Sequence, residues 1–533
     1  MRLIAAILGT AVLCAAFAAG AQEEAPETTV FDKPCFEQAA ESAHIAGYSL
    51  SKVQRWLHEV ALKRIDPETG LYIADGKWNY RDTAADCYPF LVWAAWAVDQ
   101  SALSGPVREV LHAERELCNY LDRIPAPFDL EKRAVVEDFP YEDLVFQASE
   151  YVKDGLIAIV EVTGRSEWFT RMLAIEEDLW KHARVETPFG KIPSTNIEVN
   201  GEQLQALTRL YTMTGQSKFL DWAERLADYY LSQDDFVPER LRDHGCEIIG
   251  GLGLLLAVES AHRPEKAEEY RPAIERMLNE ILEKGTNAHG MMYNKLGDPD
   301  SGLSDGWGYN YVTYLCYDMI AGEPVYRPAV KATLRNLSEP IYTDYKWEGD
   351  SIDGYADSIE GGIYLLNRVP VEEGFAWVDR EMANNVVHSD QPLQKAELWG
   401  TMKLQSNGVR TTIMHALMHT RGVLARPWKQ GLRIGAHPCG DGLAIVVKTH
   451  EPWAGHLAFD VPRHRTMMGF TKDWPRMNTL PEWFTVEPNQ RYVVEFEGAE
   501  ESRFERGMGL RSGLEVRLPE GGMARIFVRP ALR

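Results

Sequence analysis

From about residue 36 to about residue 422, apolar positions recur every three or four residues, the period of helices packed on one side. The segments come in pairs, an apolar helix first, a more amphipathic one second, then a longer polar loop. First members are predicted to begin near Thr83, Asp143, Glu198, Asp243, Trp307 and Asp353, and second members near Pro106, Ser166, Ser217, Glu265, Tyr326 and Val371. Glycine marks the joint in Thr163-Gly164, Thr214-Gly215 and Ala321-Gly322, where a helix C-terminus favours it. Six such hairpins in succession predict a helical toroid in which inner helices alternate with outer ones. One further helix is expected before them (37–65) and one after them (409–421). Beyond Pro427 the period falls to two in short runs such as Leu443-Ala-Ile-Val-Val and Tyr492-Val-Val-Glu-Phe, separated by Gly, Pro, Asn and Asp. This predicts a small all-β, sandwich-like domain.

One predicted inner helix departs from a design for stability. In the stretch from Asp350 to Leu366, Asp353, Asp357 and Glu360 share a face with Asp350, while Tyr355, Ile359, Ile363 and Leu366 share the opposite face. Like charges at this spacing repel by a few tenths of a kcal/mol per pair, and Gly354, Gly361 and Gly362 each cost about 1 kcal/mol relative to Ala. The pattern implies a use for the acidic face and a close approach to the backbone.

Composition narrows the partners. The chain has 533 residues and a formal net charge of −23, which disfavours nucleic acid and anionic membrane. Residues 1–21 have the form of a secretory signal: Met1-Arg2, an apolar run, then Ala19-Gly20-Ala21. Export to a periplasmic or extracellular space is therefore expected, with 22–35 as a linker, 36–427 as the helical domain and 428–533 as the β domain. Cys35, Cys87, Cys118, Cys246, Cys316 and Cys439 remain after cleavage. Most lie in apolar helical runs, where buried free thiols are expected, although export permits disulfides. No metal site or cofactor is predicted. His415 and His419 stand one turn apart on the last helix, but the sequence offers no third ligand.

Acids, aromatics and a histidine gather at the starts of the inner helices, which a toroid brings to one mouth: Glu142-Asp143, Glu198-Val-Asn200-Gly-Glu202, Asp243-His244, Asp305-Gly-Trp307-Gly-Tyr309 and Asp353 to Asp357. Each acid alone is explained by helix capping. Together, aromatic faces for pyranose rings and carboxylates for acid/base chemistry suit a carbohydrate site. These motifs resemble those of the unsaturated glucuronyl and rhamnogalacturonyl hydrolases. Glu142-Asp143-Leu-Val-Phe146 is similar to their His-Asp-x-Gly-Phe, Asp305-Gly-Trp307-Gly-Tyr309 to their Arg-Gly-x-x-Trp-Gly, and Asp353-Gly-Tyr-Ala356 to their Asp-Ser-Ser-Ala. Glu142 stands where the family has His, Glu198 to Glu202 where it has a second Asp, and the Arg of the fifth motif is missing. The resemblance implies a mostly α fold, an (α/α)6 barrel. A sister group of barrel glucuronidases acting on saturated uronides fits equally well.

On this reading the chain is a glycoside hydrolase acting on uronate-containing glycans, with Asp143 and Glu202 as the acid/base pair. His244, Asp305, Asp353 and Asp357 would bind substrate, Trp307 and Tyr309 would stack on it, and Arg81, Arg242 or Arg410 would hold a uronate carboxylate. The alternatives are a polysaccharide lyase using His244 and Tyr309, a non-catalytic glycan-binding protein and, more remotely, a sugar epimerase. Oligomeric state is not legible.

Overall fold

The structure, a computed structural model, describes residues 30–386 and 400–531. The expected signal segment lies outside the described residues. The helical toroid and the C-terminal β domain are both present. The first inner helix, α2 (Tyr88–Val98), is preceded by a π-helical turn, Thr83–Cys87. The second, α4 (Tyr141–Glu150), runs on through a π turn to Thr163. The next four are α6 (Ile197–Thr214), α8 (Cys246–His262), α10 (Trp307–Ala321) and α12 (Ile352–Arg368). Their outer partners are α3 (Arg108–Leu117), α5 (Glu167–Lys181), α7 (Ser217–Leu231), α9 (Pro264–Lys284), α11 (Arg327–Asn336) and α13 (Glu372–Glu381).

The two flanking helices complete the ring. α1 (Cys35–Arg55) and α14 (Met402–Thr420) pack on each other, α1 outside and α14 inside. α14 also touches α12 on one side and α2 on the other, so the described residues form seven inner-outer pairs around one axis. The sequence conceals this pair because its two members are separated by the whole toroid. α8 and α10 have apolar residues on nearly every face, as helices enclosed on all sides must.

The β domain begins with β1 (Leu424–Arg426), just ahead of Pro427. Its antiparallel strands are β2 (Arg433–Cys439), β3 (Gly442–Lys448), β4 (Trp453–Ala458), β5 (Arg491–Phe496), β6 (Arg503–Arg506), β7 (Leu514–Leu518) and β8 (Met523–Pro530). They form a five-stranded sheet in the order β2-β3-β8-β5-β6 and a three-stranded sheet in the order β7-β4-β1. β2 lies directly on α1. A Cβ on Gly435 would sit 2.0 Å from the backbone nitrogen of Ala43, so no larger residue fits there. A disulfide joins Cys35 to Cys439 across this contact, and Cys87, Cys118, Cys246 and Cys316 are buried free thiols.

The segment between residues 467 and 490 seals the toroid at the C-terminal ends of the inner helices. Thr212 donates to the Met468 carbonyl (2.8 Å), Arg209 to that of Met477 (2.7 Å), and the Tyr364 hydroxyl accepts from the Thr479 amide (3.3 Å). Beneath it Glu161, fully buried, binds Arg476 through two 2.8 Å contacts and Arg209 through one of 3.0 Å. Burial opposes ionisation of Glu161, yet the two guanidinium groups hold its carboxyl down at about 2. Among the described residues, no helix is long and apolar enough to cross a membrane.

Candidate active site

With one end sealed, the toroid encloses a blind cavity that opens at the N-terminal ends of the inner helices. Phe90 and Trp93 of α2 and Met477 of the sealing segment give it an apolar floor. Most of its remaining lining is ionic, and acids outnumber cations.

One side is built by α4, α6 and α8. Glu150 and Asp154 follow each other on α4, and Glu202 comes from α6. One carboxyl oxygen of each lies within 4.8 Å of the others. Glu150 lines the cavity, whereas Glu202 is only 1% exposed and one of its oxygens has no hydrogen-bond partner among the described residues. Burial, then repulsion from Glu202, raises the Glu150 carboxyl well above the ordinary range. Burial and repulsion from Glu198 do the same to Glu202. Lys153 supplies counter-charge, 2.8 Å from Asp154 and 3.3 Å from Glu247. Asn478 reaches up from the sealing segment to donate to Asp154 at 2.8 Å.

His244 begins the turn into α8 with a positive φ of 67°. Its Nδ1 contacts Glu198, and its Nε2 lies 2.9 Å from Asp243. Burial alone would lower its pKa, but these two carboxylates outweigh burial and push it up to about 10. The ring is therefore a cation at neutral pH, and it keeps Asp243 ionised, with a carboxyl pKa well below the ordinary value.

The other side comes from α2, α12 and α14. Ser351 caps α12 by accepting from the Asp353 amide (3.2 Å). Asp353, Asp357 and Glu360 then face the cavity. Asp350 falls outside the helix and pairs with exposed Lys346 at 2.6 Å. Arg410 of α14 pairs with Asp357 and, at 2.7 Å, with Glu360, while its guanidinium lies 5.3 Å from the centre of the Phe90 ring. The Tyr309 hydroxyl is 3.1 Å from Asp357 and 2.9 Å from Glu360. Lys403 pairs with Asp86 at 2.9 Å. Burial, against the pull of Lys403, raises Asp86 to about 6. Burial and repulsion from Asp357 raise Asp353 to about 8 and Asp305 to about 7.

The predicted residues thus divide. His244, Tyr309, Asp353, Asp357, Arg81 and Arg410 line the cavity, and Glu202 lies just behind it. Asp143 requires correction. It is exposed in the first turn of α4 and does not line the cavity, because α4 starts two turns above it, about 10 Å at the helical rise. Trp307 is corrected as well. It is fully buried, donates to Ser358 at 2.9 Å and meets Trp377 edge-on, so it has no free face to stack on a sugar. Asp305 is buried and accepts from the Gly306 amide at 2.9 Å. Arg242 pairs with Glu348 at 3.1 Å. Arg81 stands exposed over Phe146, with no carboxylate partner among the described residues. Sequence reasoning missed Glu150, Lys153, Asp154, Lys403 and Asn478. The first three were legible as charged positions inside an otherwise apolar inner helix, Glu150-Tyr-Val-Lys153-Asp154.

No family model matches the chain, and no curated protein matches it. Among solved structures, it is similar to a sugar epimerase from a ruminal bacterium, at 10% identity and a TM-score of 0.39 over 54% of this chain and 86% of that one. It is also similar to an inactive variant of an alpha-1,6-mannanase of Salegentibacter sp. HEL1_6 in complex with alpha-1,6-mannotriose, at 12% identity and 0.39 over 70% and 99%. A third is cellobiose 2-epimerase from Spirochaeta thermophila, at 12% and 0.37 over 69% and 96%. Likenesses this distant assign no chemistry to the chain.

Proposed function

We propose that the protein is a glycoside hydrolase that takes the end of a glycan chain into the blind cavity. The observation that carries this reading is a set of carboxyl groups in opposed environments around one small space, Glu150 buried among other acids and Asp243 paired with His244 at 2.9 Å. Environments that push carboxyl pKa values apart mark the acid and the base of such a reaction. Glu150 is the proton donor. It lines the cavity, and burial, with repulsion from the surrounding carboxyl groups added to it, keeps its proton on. Asp243, held ionised by the His244 cation, is the carboxylate that activates water. The expected acid/base pair, Asp143 and Glu202, is thus replaced by Glu150, two turns beyond Asp143 on the same helix, and Asp243. The Phe90–Trp93 floor offers aromatic faces over which a sugar ring can lie, with the charged groups around it.

A uronate preference would rest on Arg81. Arg242 and Arg410 are already paired with carboxylates, whereas Arg81 at the mouth is not. The lyase alternative finds less support. The His244 cation has no basic nitrogen to offer, and burial together with Asp357 raises the Tyr309 phenol far above its ordinary range. Export is proposed on the N-terminal stretch and is supported by the Cys35–Cys439 disulfide.

The test is digestion of neutral and uronate-containing oligosaccharides, following reducing ends and near-ultraviolet absorbance together. Reducing ends should appear without new absorbance. Glu150→Gln should lose roughly 10²–10⁴-fold in rate, the usual range for removing a general acid, and Asp143→Asn should lose little. Absorbance rising with reducing ends would replace this reading with the lyase, and binding without cleavage would replace it with a glycan-binding protein.

A further inference from the structure

Away from the cavity, three side chains converge where the ring closes. His415 and His419 stand one turn apart on α14, and Asp379 reaches them from α13. Nε2 of His415 lies 2.7 Å from Asp379 Oδ1, and Nε2 of His419 lies 2.8 Å from the same oxygen. One donor atom from each of the three is within 4.8 Å of the other two. The opposite ring nitrogens face hydroxyls of α1. Ser49 Oγ is 3.1 Å from Nδ1 of His415, and Ser42 Oγ is 3.4 Å from Nδ1 of His419. Both imidazoles therefore present Nε2 to one point while a hydroxyl holds each ring from behind.

We infer that Asp379, His415 and His419 form a divalent transition-metal site of the zinc type. Two imidazoles and one carboxylate are a donor set that zinc accepts, with bonds of about 2.0–2.2 Å. Histidine ligands characteristically have a hydrogen-bonding group behind the ring that fixes tautomer and orientation, and Ser49 and Ser42 occupy that place. A hydroxyl suits both states. It donates to Nδ1 while Nε2–H bonds Asp379, and it accepts from Nδ1–H once Nε2 binds metal. Binding therefore moves protons without displacing α1. Three protein ligands leave one coordination position for water, on the side of a surface pocket bordered by His44, Tyr48, Arg380 and Met382. A serine-nucleophile reading of Ser49, His415 and Asp379 does not hold, because Ser49 is 1% exposed in the middle of α1. The ion would tie α13 to α14 and, through the serines, to α1, stapling the pair that closes the ring.

The experiment is calorimetric titration of the chelator-treated full chain with Zn²⁺, with metal content measured by mass spectrometry and the melting temperature followed in parallel. One Zn²⁺ per chain, a raised melting temperature and, with Co²⁺, visible bands of a low-coordinate site are expected. His419→Gln keeps a donor for Asp379 and should fold, yet lose more than 100-fold in Zn²⁺ affinity. Ser49→Ala should lose about 10-fold, the low end for a group that orients a ligand. Glu202→Gln should bind zinc like wild type. Absence of stoichiometric zinc, or binding unchanged in His419→Gln, would overturn the site. Loss of zinc in Glu202→Gln would move it to the central carboxyl cluster and overturn it equally.

Discussion

Among the described residues, Glu202 has an oxygen without a hydrogen-bond partner in the midst of other carboxyl groups. A carboxyl whose folded pKa is raised stabilises most at low pH and loses that contribution as pH rises from its unfolded value through its folded one. Gln has the same shape and does not ionise. Glu202→Gln should therefore match wild type in thermal stability near pH 4, below the unfolded value, and exceed it by about 1 kcal/mol or more at pH 8–9. A melting-temperature profile of both proteins across that range checks this, and parallel curves would show that Glu202 ionises freely when folded. At this scale the sequence was legible wherever a charge interrupted an apolar run, as at Asp357 and Glu360. It misled at Asp143 and Trp307, where residue type suited the chemistry but depth did not. Spacing along a helix gives the face a residue occupies, not its distance below the rim.

At the scale of elements, the stretch from Asp350 to Leu366 carried information in its glycines as much as in its acids. α10 and α12 meet through Gly308 and Gly361. A Cβ on Gly308 would lie 2.4 Å from the Gly361 backbone, and one on Gly361 would lie 2.8 Å from the Gly308 Cα. That approach brings Tyr309 of α10 onto Asp357 and Glu360 of α12. The expected close approach of backbone is thus helix to helix within the ring. Gly308→Ala gains about 1 kcal/mol in helix propensity but overfills a contact bounded by backbone, which cannot rotate away. The overpacking costs typically 1–3 kcal/mol, so the contact dominates. The variant should melt several degrees lower and lose activity through displacement of Tyr309. A melting temperature at or above that of wild type would mean that the two helices separate without cost. The hairpin pattern revealed six of the pairs because their members are adjacent in sequence. The α1–α14 pair has no local signal of that kind.

At the scale of the whole molecule, the β domain is part of the toroid's construction. Its apolar residues continue the same core, and its 467–490 segment forms the floor of the cavity. Its strands were legible from their period, but this role was not, because Arg476, Met477 and Asn478 lie in an irregular segment with no repeating pattern. The joint depends on Glu161, which Arg476 and Arg209 keep ionised while fully buried. Removing one partner of a buried pair typically costs 3–5 kcal/mol, since the remaining charge stays buried. Arg476→Met should impose a cost of that order on a single unfolding transition shared by both domains, because neither can leave without exposing the common core. The pH dependence follows from the sign of the shift. A carboxyl held down at about 2 contributes stability that is complete above its unfolded value near 4.5 and is lost as pH falls toward 2. Wild type should therefore weaken steeply below pH 4. With Arg476 gone, Arg209 alone holds Glu161, its pKa rises toward the ordinary range, and the acid limb should become shallower while overall stability drops. Denaturant unfolding of both proteins between pH 3 and 7, followed by tryptophan fluorescence and by helical circular dichroism, decides the matter. Two transitions in wild type would show the β domain to be an independent unit, and an unchanged acid limb in the variant would remove Glu161 from the account of how the floor is held.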